Sequence, residues 1–319
     1  MVSLPALLTA GPAHAAGPSL LNVSYDVSRE FYKEFNVAFA ARWKKTTGED
    51  VTLKQSHGGS SRQARSVADG LEADVITMNQ HNDIDVLHTR GKLVPADWAK
   101  RLPYNASPTT SISVILVRKD NPKNIRDWTD LGRPGLSVII PNPKTSGNGR
   151  YTYLAAWGAA VTGGVNADAA KALVTRIFAN VPVLDGGGRG ATTTFAQRSL
   201  GDALVTFESE VPLIVREFGD NFEVVYPGRT ILAENPVSVV DRVVDKRGTR
   251  KLADAGQEIA ARFNLRPRSP KVLAKYAKAF PKVDTFTVDE VFGGWPQAQR
   301  DHFNDGALYD QVIAAAKAR

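Results

Sequence analysis

The chain has no cysteine among its 319 residues and only two methionines. The first absence excludes disulfides, thiolate metal sites and a lipid-modified N-terminal cysteine, and it leaves the redox compartment open. No apolar run approaches the ~18 residues of a membrane span. There is no G-x-x-x-x-G-K-[ST] loop for nucleotide phosphates and no G-x-S-x-G nucleophile elbow. Lys and Arg do not gather into runs with interleaved aromatics, so the net charge of +7 reads as a solvated basic surface and not as a nucleic-acid footprint. Internal repeats and low-complexity segments are also missing.

What is present begins with an apolar stretch, residues 2–10, and Ala13-His14-Ala15. This is an A-x-A-like cleavage site, so residues 1–15 read as a signal peptide, although no basic residue precedes the apolar stretch. The length and the 43% hydrophobic content suit about two domains. Strand patterns at 20–25, 51–55 and 73–78 alternate with helix patterns, the first of them carrying Phe31, Phe35, Phe39 and Trp43 at helical spacing after a cap by Asp26 or Ser28. An apolar strand at 110–118 leaves this unit. A second alternating unit follows, with strands at 136–140, 181–184 and 203–207, helices at 150–160 and 168–180, and shorter ones from Thr192 and from Glu208 or Ser209. A strand at 236–241 returns. The remainder from 248 reads as mainly helical, with turns at 266–267, 269–270 and 280–281. The expected division is 16–110 with 237–319 as one lobe and 111–236 as the other, an α/β arrangement of two lobes joined by two crossing strands.

The stretch that organises the rest is LSVIIPNPKTSGNGRYTYLAAWG, residues 136–158. A buried strand is stopped by Pro141-Asn142-Pro143, and Ser146-Gly147-Asn148-Gly149 lead into a helix. The first turn of a helix has N–H groups without an internal partner and about half a positive charge, and small residues let an oxyanion come close to them. Three further small-residue turns, at 26–28, 58–61 and 187–190, have the same construction. Facing one cleft, they would make a donor site for a tetrahedral oxyanion. Arg62, Arg150 and Arg189 lie beside three of the turns. The most metal-like cluster is His81-x-Asp83-x-Asp85-x-x-His88, whose spacing matches neither a zincin nor an EF-hand, and a metal-dependent hydrolase using it is the alternative from another class.

The stretches LLNVSYD, QSHGGS, ADVIT, RLPYNASP, LVRKDNPK, PNPKTSG, YLAAWG, ILAE, VSVVD, GQEIAA and FGGW resemble the periplasmic sulfate-binding proteins of bacterial sulfate/thiosulfate ABC importers over nearly the whole mature chain. The resemblance implies a two-lobed type II periplasmic binding protein fold, capture of sulfate by uncharged donors in the cleft, delivery to a membrane permease, no cofactor, no metal and no enzymatic activity, with a monomer in the periplasm. The implied donors are the N–H of Asp26, Ser60, the Ser146 hydroxyl with the N–H groups of Gly147 and Asn148, and the N–H of Gly188.

Two features depart from the family pattern. Phe207 stands where the family has a tryptophan whose indole N–H donates. Its loss would cost ~1.5 to 3 kcal/mol unless a water or Thr206 compensates, or else it marks a shifted ligand such as thiosulfate. Molybdate is a further tetrahedral alternative. Residues 248–260 lack about nine residues usual in the family, by the scale of a helix turn and loop, which bears on the C-terminal packing and not on the cleft.

Overall fold

The computed structural model describes residues 17–260 and 281–318. The expected signal peptide and the turns at 266–267, 269–270 and 280 lie outside them. The chain enters with β1 (Ser19–Tyr25), and a 3-10 turn, Asp26–Ser28, leads into α1 (Arg29–Thr47). Tyr32, Phe35, Phe39 and Trp43 recur at three- and four-residue spacing, so they share one face of α1 and pack ring on ring. The expected side-chain cap is not made. Ser28 holds the N-cap position without a cap bond, and its hydroxyl donates back to the Tyr25 carbonyl at 2.7 Å.

Then follow β2 (Thr52–Gly58), α2 (Ser60–Ala68), β3 (Val75–Thr77) and α3 (His81–Gly91). β1 pairs in parallel with β2 on one side and with β3 on the other. Their C-terminal ends therefore lie on one edge, with the helices that follow starting there.

β4 (Thr109–Arg118) carries the chain into a second sheet. There β5 (Val138–Pro141) precedes α4 (Gly147–Thr162) and α5 (Ala167–Ala179). β6 (Leu184–Asp185) precedes α6 (Gly188–Thr192), and β7 (Ala203–Phe207) precedes a 3-10 turn and α7 (Val211–Phe218). Expected helix starts at Arg150 and Thr192 are each early-truncated readings: three glycines, Gly147, Gly149 and Gly188, occupy first turns that propensity alone assigns to loop.

Three strands were not expected: one near the C-terminus, described below, and here β8 (Phe222–Val225) and β9 (Arg229–Asn235). β9 runs antiparallel to the first half of β4, Thr109 opposite Asn235, and one residue later the chain passes into β10 (Val237–Val239), which pairs with β3 in the first sheet. β4 and β9 are thus the two hinge-crossing strands of a two-lobed type II periplasmic binding protein fold. The second sheet has the order β11-β9-β4-β7-β5-β6, with β8 on β4.

After β10, α8 (Asp241–Arg247) and α9 (Arg250–Ala260) pack back on the first lobe, where Val244, Leu252 and Ala253 join the Phe35 cluster. The expectation that all of 237–319 belongs to that lobe needs correction. β11 (Asp284–Phe286) adds in parallel to β9. α10 (Val288–Phe292), α11 (Trp295–Ala298) and α12 (Leu308–Lys317) then cover α4 and α5, whose Tyr153, Trp157 and Phe178 would otherwise face water. The physical reason is the aromatic content of α4: it is buried on nearly every side over 147–158 and needs a second layer.

Candidate functional site

Strand-to-helix turns from both lobes meet at one place. A Cβ built on Gly59, at the start of α2, would fall against the carbonyl oxygens of Thr145 and Gly186 in the other lobe, the latter at 2.7 Å. One on Gly147 would strike the Asn79 side chain, one on Gly187 the Asp26 carboxylate, and one on Gly188 would sit 3.0 Å from Val27 Cγ1 and 3.1 Å from Asn148 Nδ2. Glycine is needed at these positions by close approach and not by backbone angle: Gly59 has φ −57°. The lobes are in contact where the turns that follow β1, β2, β3, β5 and β6 meet.

Ser146, Gly147 and Asn148 form the N-cap and first turn of α4, a helix of 16 residues. The Ser146 backbone N–H is spent on the Asn142 carbonyl, and its hydroxyl oxygen accepts from Gly149 N–H at 3.5 Å. The hydroxyl proton remains to be donated. Gly147 and Asn148 are the first two helical residues, whose N–H groups have no carbonyl four residues back. Gly188 opens α6 in the same way.

Ser60 heads α2, but its hydroxyl is committed: it donates to Asp83 Oδ2 at 2.6 Å and accepts from Asn79 N–H at 3.2 Å. Only its backbone N–H is left for a ligand. Asp26 stands at the lobe junction, where its Oδ2 accepts from the backbone N–H of Arg189 at 2.9 Å. Burial pushes its carboxyl up, and the N–H groups of Arg189, Asp26 and Val27 pull it back. Nearby Glu210 is pushed well up by burial, with the Asp26 charge adding to the effect.

Phe207 closes β7. It is 1% exposed, its ring lies edge-on to Tyr151 at 5.8 Å, and it shares one apolar cluster with Tyr25 and Val27 from the other lobe. It offers no polar atom, and the Thr206 hydroxyl, turned to the opposite face of β7, is buried without a protein partner.

Of the three arginines, Arg62 lies against the turn after β6, where a Cβ built on Gly186 would fall 2.6 Å from its Nη2, and the other two side chains are engaged by protein partners. Arg150 Nε donates to the Pro143 carbonyl at 2.9 Å and Nη1 to Gln299 at 2.8 Å, and Arg189 pairs with Glu217. The side chains of the metal-like cluster are held apart by separate partners. Asp83 takes Ser60, Asp85 takes Trp98 Nε1 at 2.9 Å, His81 meets the Asn105 carbonyl and His88 the Val94 carbonyl, each at 3.0 Å. Among the described residues, no group of three His, Cys, Asp or Glu side chains is placed to hold a metal ion.

Sequence reasoning missed Asn79 and Gln80, between β3 and α3. Both are buried, and Asn79 Oδ1 and Gln80 Oε1 have no protein donor. Asn79 lies against Gly147, so the β3 turn also borders the lobe junction.

Two α/β lobes on a pair of crossing strands, with glycine-lined helix starts meeting at the lobe junction, define a solute-binding protein of the periplasmic type. The profile of the bacterial extracellular solute-binding proteins matches residues 27–257. The chain is 57% identical to a thiosulfate-binding protein from Pseudomonas aeruginosa, over 97% of this chain and 96% of that one. It is 51% identical to a sulfate-binding protein from Escherichia coli K12, over 98% of each. The solved structure of the sulfate-binding protein SubI from Mycobacterium tuberculosis H37Rv superposes with a TM-score of 0.79 at 33% identity, over 90% of this chain and all of that one. The chain belongs to the family of bacterial extracellular solute-binding proteins, in the group that contains the sulfate- and thiosulfate-binding proteins. These relatives are named as binding proteins and not as enzymes.

Proposed function

We propose that this protein is a non-enzymatic, monomeric periplasmic receptor that captures sulfate between its lobes and hands it to the permease of an ABC importer. The observation that supports this is the meeting of strand-to-helix turns from both lobes, where Ser60, Gly147, Asn148 and Gly188 hold the first helical positions beside the Ser146 hydroxyl, and the Asp26 N–H would join them on leaving its own carboxylate. The lobe boundaries fall near residues 110 and 236, with 284–318 assigned to the second lobe. Among the described residues, no helix is long and apolar enough to cross a membrane.

Sulfate carries no proton at neutral pH and is satisfied by donors alone, whereas hydrogenphosphate brings a proton that needs an acceptor. Selection against phosphate then requires Asn79 to turn its amide nitrogen, and not Oδ1, toward the anion. Closure works by population shift: only the closed form lets both lobes donate to one ion.

Thiosulfate is a second reading favoured by Phe207, because a terminal sulfur accepts weakly and loses less from the absent donor. Calorimetric titration of the ligand-stripped protein with sulfate, thiosulfate, molybdate and phosphate in EDTA separates these readings. Tight sulfate binding with silent phosphate supports the first, and thiosulfate tighter than sulfate supports the second. Activity or binding that depends on added zinc would contradict both.

A further inference from the structure

We propose that the side-chain amide of Asn148, in addition to its backbone N–H, donates to the bound anion. The inference rests on the oxyanion reading above.

Asn148 is the second residue of α4 and is 2% exposed. Its Oδ1 accepts from the Thr152 hydroxyl one turn later, at 3.5 Å. That contact turns Nδ2 the other way, toward Gly188, whose built Cβ would lie 3.1 Å from it. Nδ2 is fully buried and has no protein partner.

A buried amide nitrogen carries two N–H groups, and leaving them unpaired is costly. The groups around it explain why they stay unpaired. Gly147 N–H, Gly188 N–H and the Ser146 hydroxyl proton are donors too, and donors cannot satisfy one another. The acceptors that border these turns are placed elsewhere, Asp26 Oδ2 on the Arg189 N–H and Asn79 Oδ1 against Gly147, and an oxyanion held by those same donors would bring Nδ2 one. The same built Cβ would lie 3.0 Å from Val27 Cγ1 of the other lobe, so Nδ2 sits at the lobe junction and away from bulk water.

A tetrahedral anion needs several donors, and β7 contributes an aromatic face with none. The corner of the anion nearest Phe207 is the one least served, which suits a ligand with one weakly accepting corner.

The experiment is calorimetric titration of Asn148→Ala and Asn148→Asp beside the unaltered protein, with sulfate and thiosulfate, together with the unliganded Tm of each. Asn148→Ala should weaken the tighter-bound anion roughly ten- to hundredfold. Its unliganded Tm should be unchanged or raised, because it removes an unpaired buried amide; a merely structural asparagine would lower it. Asn148→Asp, which puts an acceptor and a charge against the anion, should weaken it further. Unaltered affinity in Asn148→Ala overturns the inference while leaving the proposed function intact. Absence of oxyanion binding by the unaltered protein removes both.

Discussion

Ser146 is the residue at which capping and ligand binding separate most cleanly. Its oxygen accepts a long bond from Gly149 N–H, 3.5 Å, so the cap contributes little, while its proton is available to an anion. Ser146→Ala should therefore cost ~1.5 to 3 kcal/mol of anion binding, roughly ten- to hundredfold in Kd, with a small change in unliganded Tm. Calorimetry and a thermal melt read both, and equal losses in the two would assign Ser146 to stability alone.

Asn79 provides the second test at this scale. Asn79→Asp adds an acceptor and a charge beside Gly147 and should weaken sulfate by more than roughly a hundredfold while improving hydrogenphosphate relative to sulfate. Unchanged discrimination would place Asn79 outside the site. In the sequence Ser146, Gly147 and Asn148 read by themselves as a strand-to-helix turn with a cap, and as donors only through the family resemblance and the repetition of such turns. Asn79 was not legible, since an asparagine after a strand is also an ordinary turn residue, and only packing against Gly147 sets it apart.

Among the elements, α4 carries most of the design: its N-terminus meets the other lobe at Asn79 and its body carries the aromatic surface that the C-terminal segment covers. Within that cover, His302 sits edge-on to Tyr153, Trp157 and Phe292. Burial among these rings lowers its pKa to about 4, with Asp301 opposing. Because the folded value lies below the unfolded one, ~6.5, the unfolded chain binds more protons between the two. The His302 contribution is complete above about pH 6.5 and is lost as pH falls toward 4; His57, lowered to about 4 by burial, acts with the same sign.

His302→Gln should lower Tm at pH 7 and make its fall between pH 7 and pH 4.5 shallower. Parallel curves for variant and parent would contradict the assignment. The strands of this unit with continuous apolar runs, such as β4 and β7, were legible from their residues. β9 was not, because RTILAEN mixes charge into a strand buried at alternating positions, and β11 was not, because three residues carry no period.

For the whole molecule, the function depends on closure about β4 and β9. Gly59 tests this without touching either strand. Its φ of −57° accepts alanine, and the nearest atoms to the added Cβ are the carbonyls of Thr145 and Gly186 across the lobe junction. Gly59→Ala should keep the unliganded Tm and lose more than roughly a hundredfold in anion affinity, and small-angle scattering should show no compaction on adding sulfate. Compaction equal to the parent's would mean that the lobes need not approach this closely.

The two-lobed plan was legible because strands alternate with helices on both sides of an apolar strand that leaves one unit. The assignment of 284–318 to the second lobe was not, because it follows from which aromatic surface lacks cover, a tertiary property.

The most direct test of oxyanion capture is a crystal of the protein grown with selenate, whose anomalous signal locates the ion. The expected result is one ion between the lobes, within hydrogen-bond distance of the N–H groups of Gly147, Asn148 and Gly188 and of the Ser146 hydroxyl. An ion bound elsewhere, or an interlobe space that excludes selenate at concentrations where sulfate binds, would contradict it.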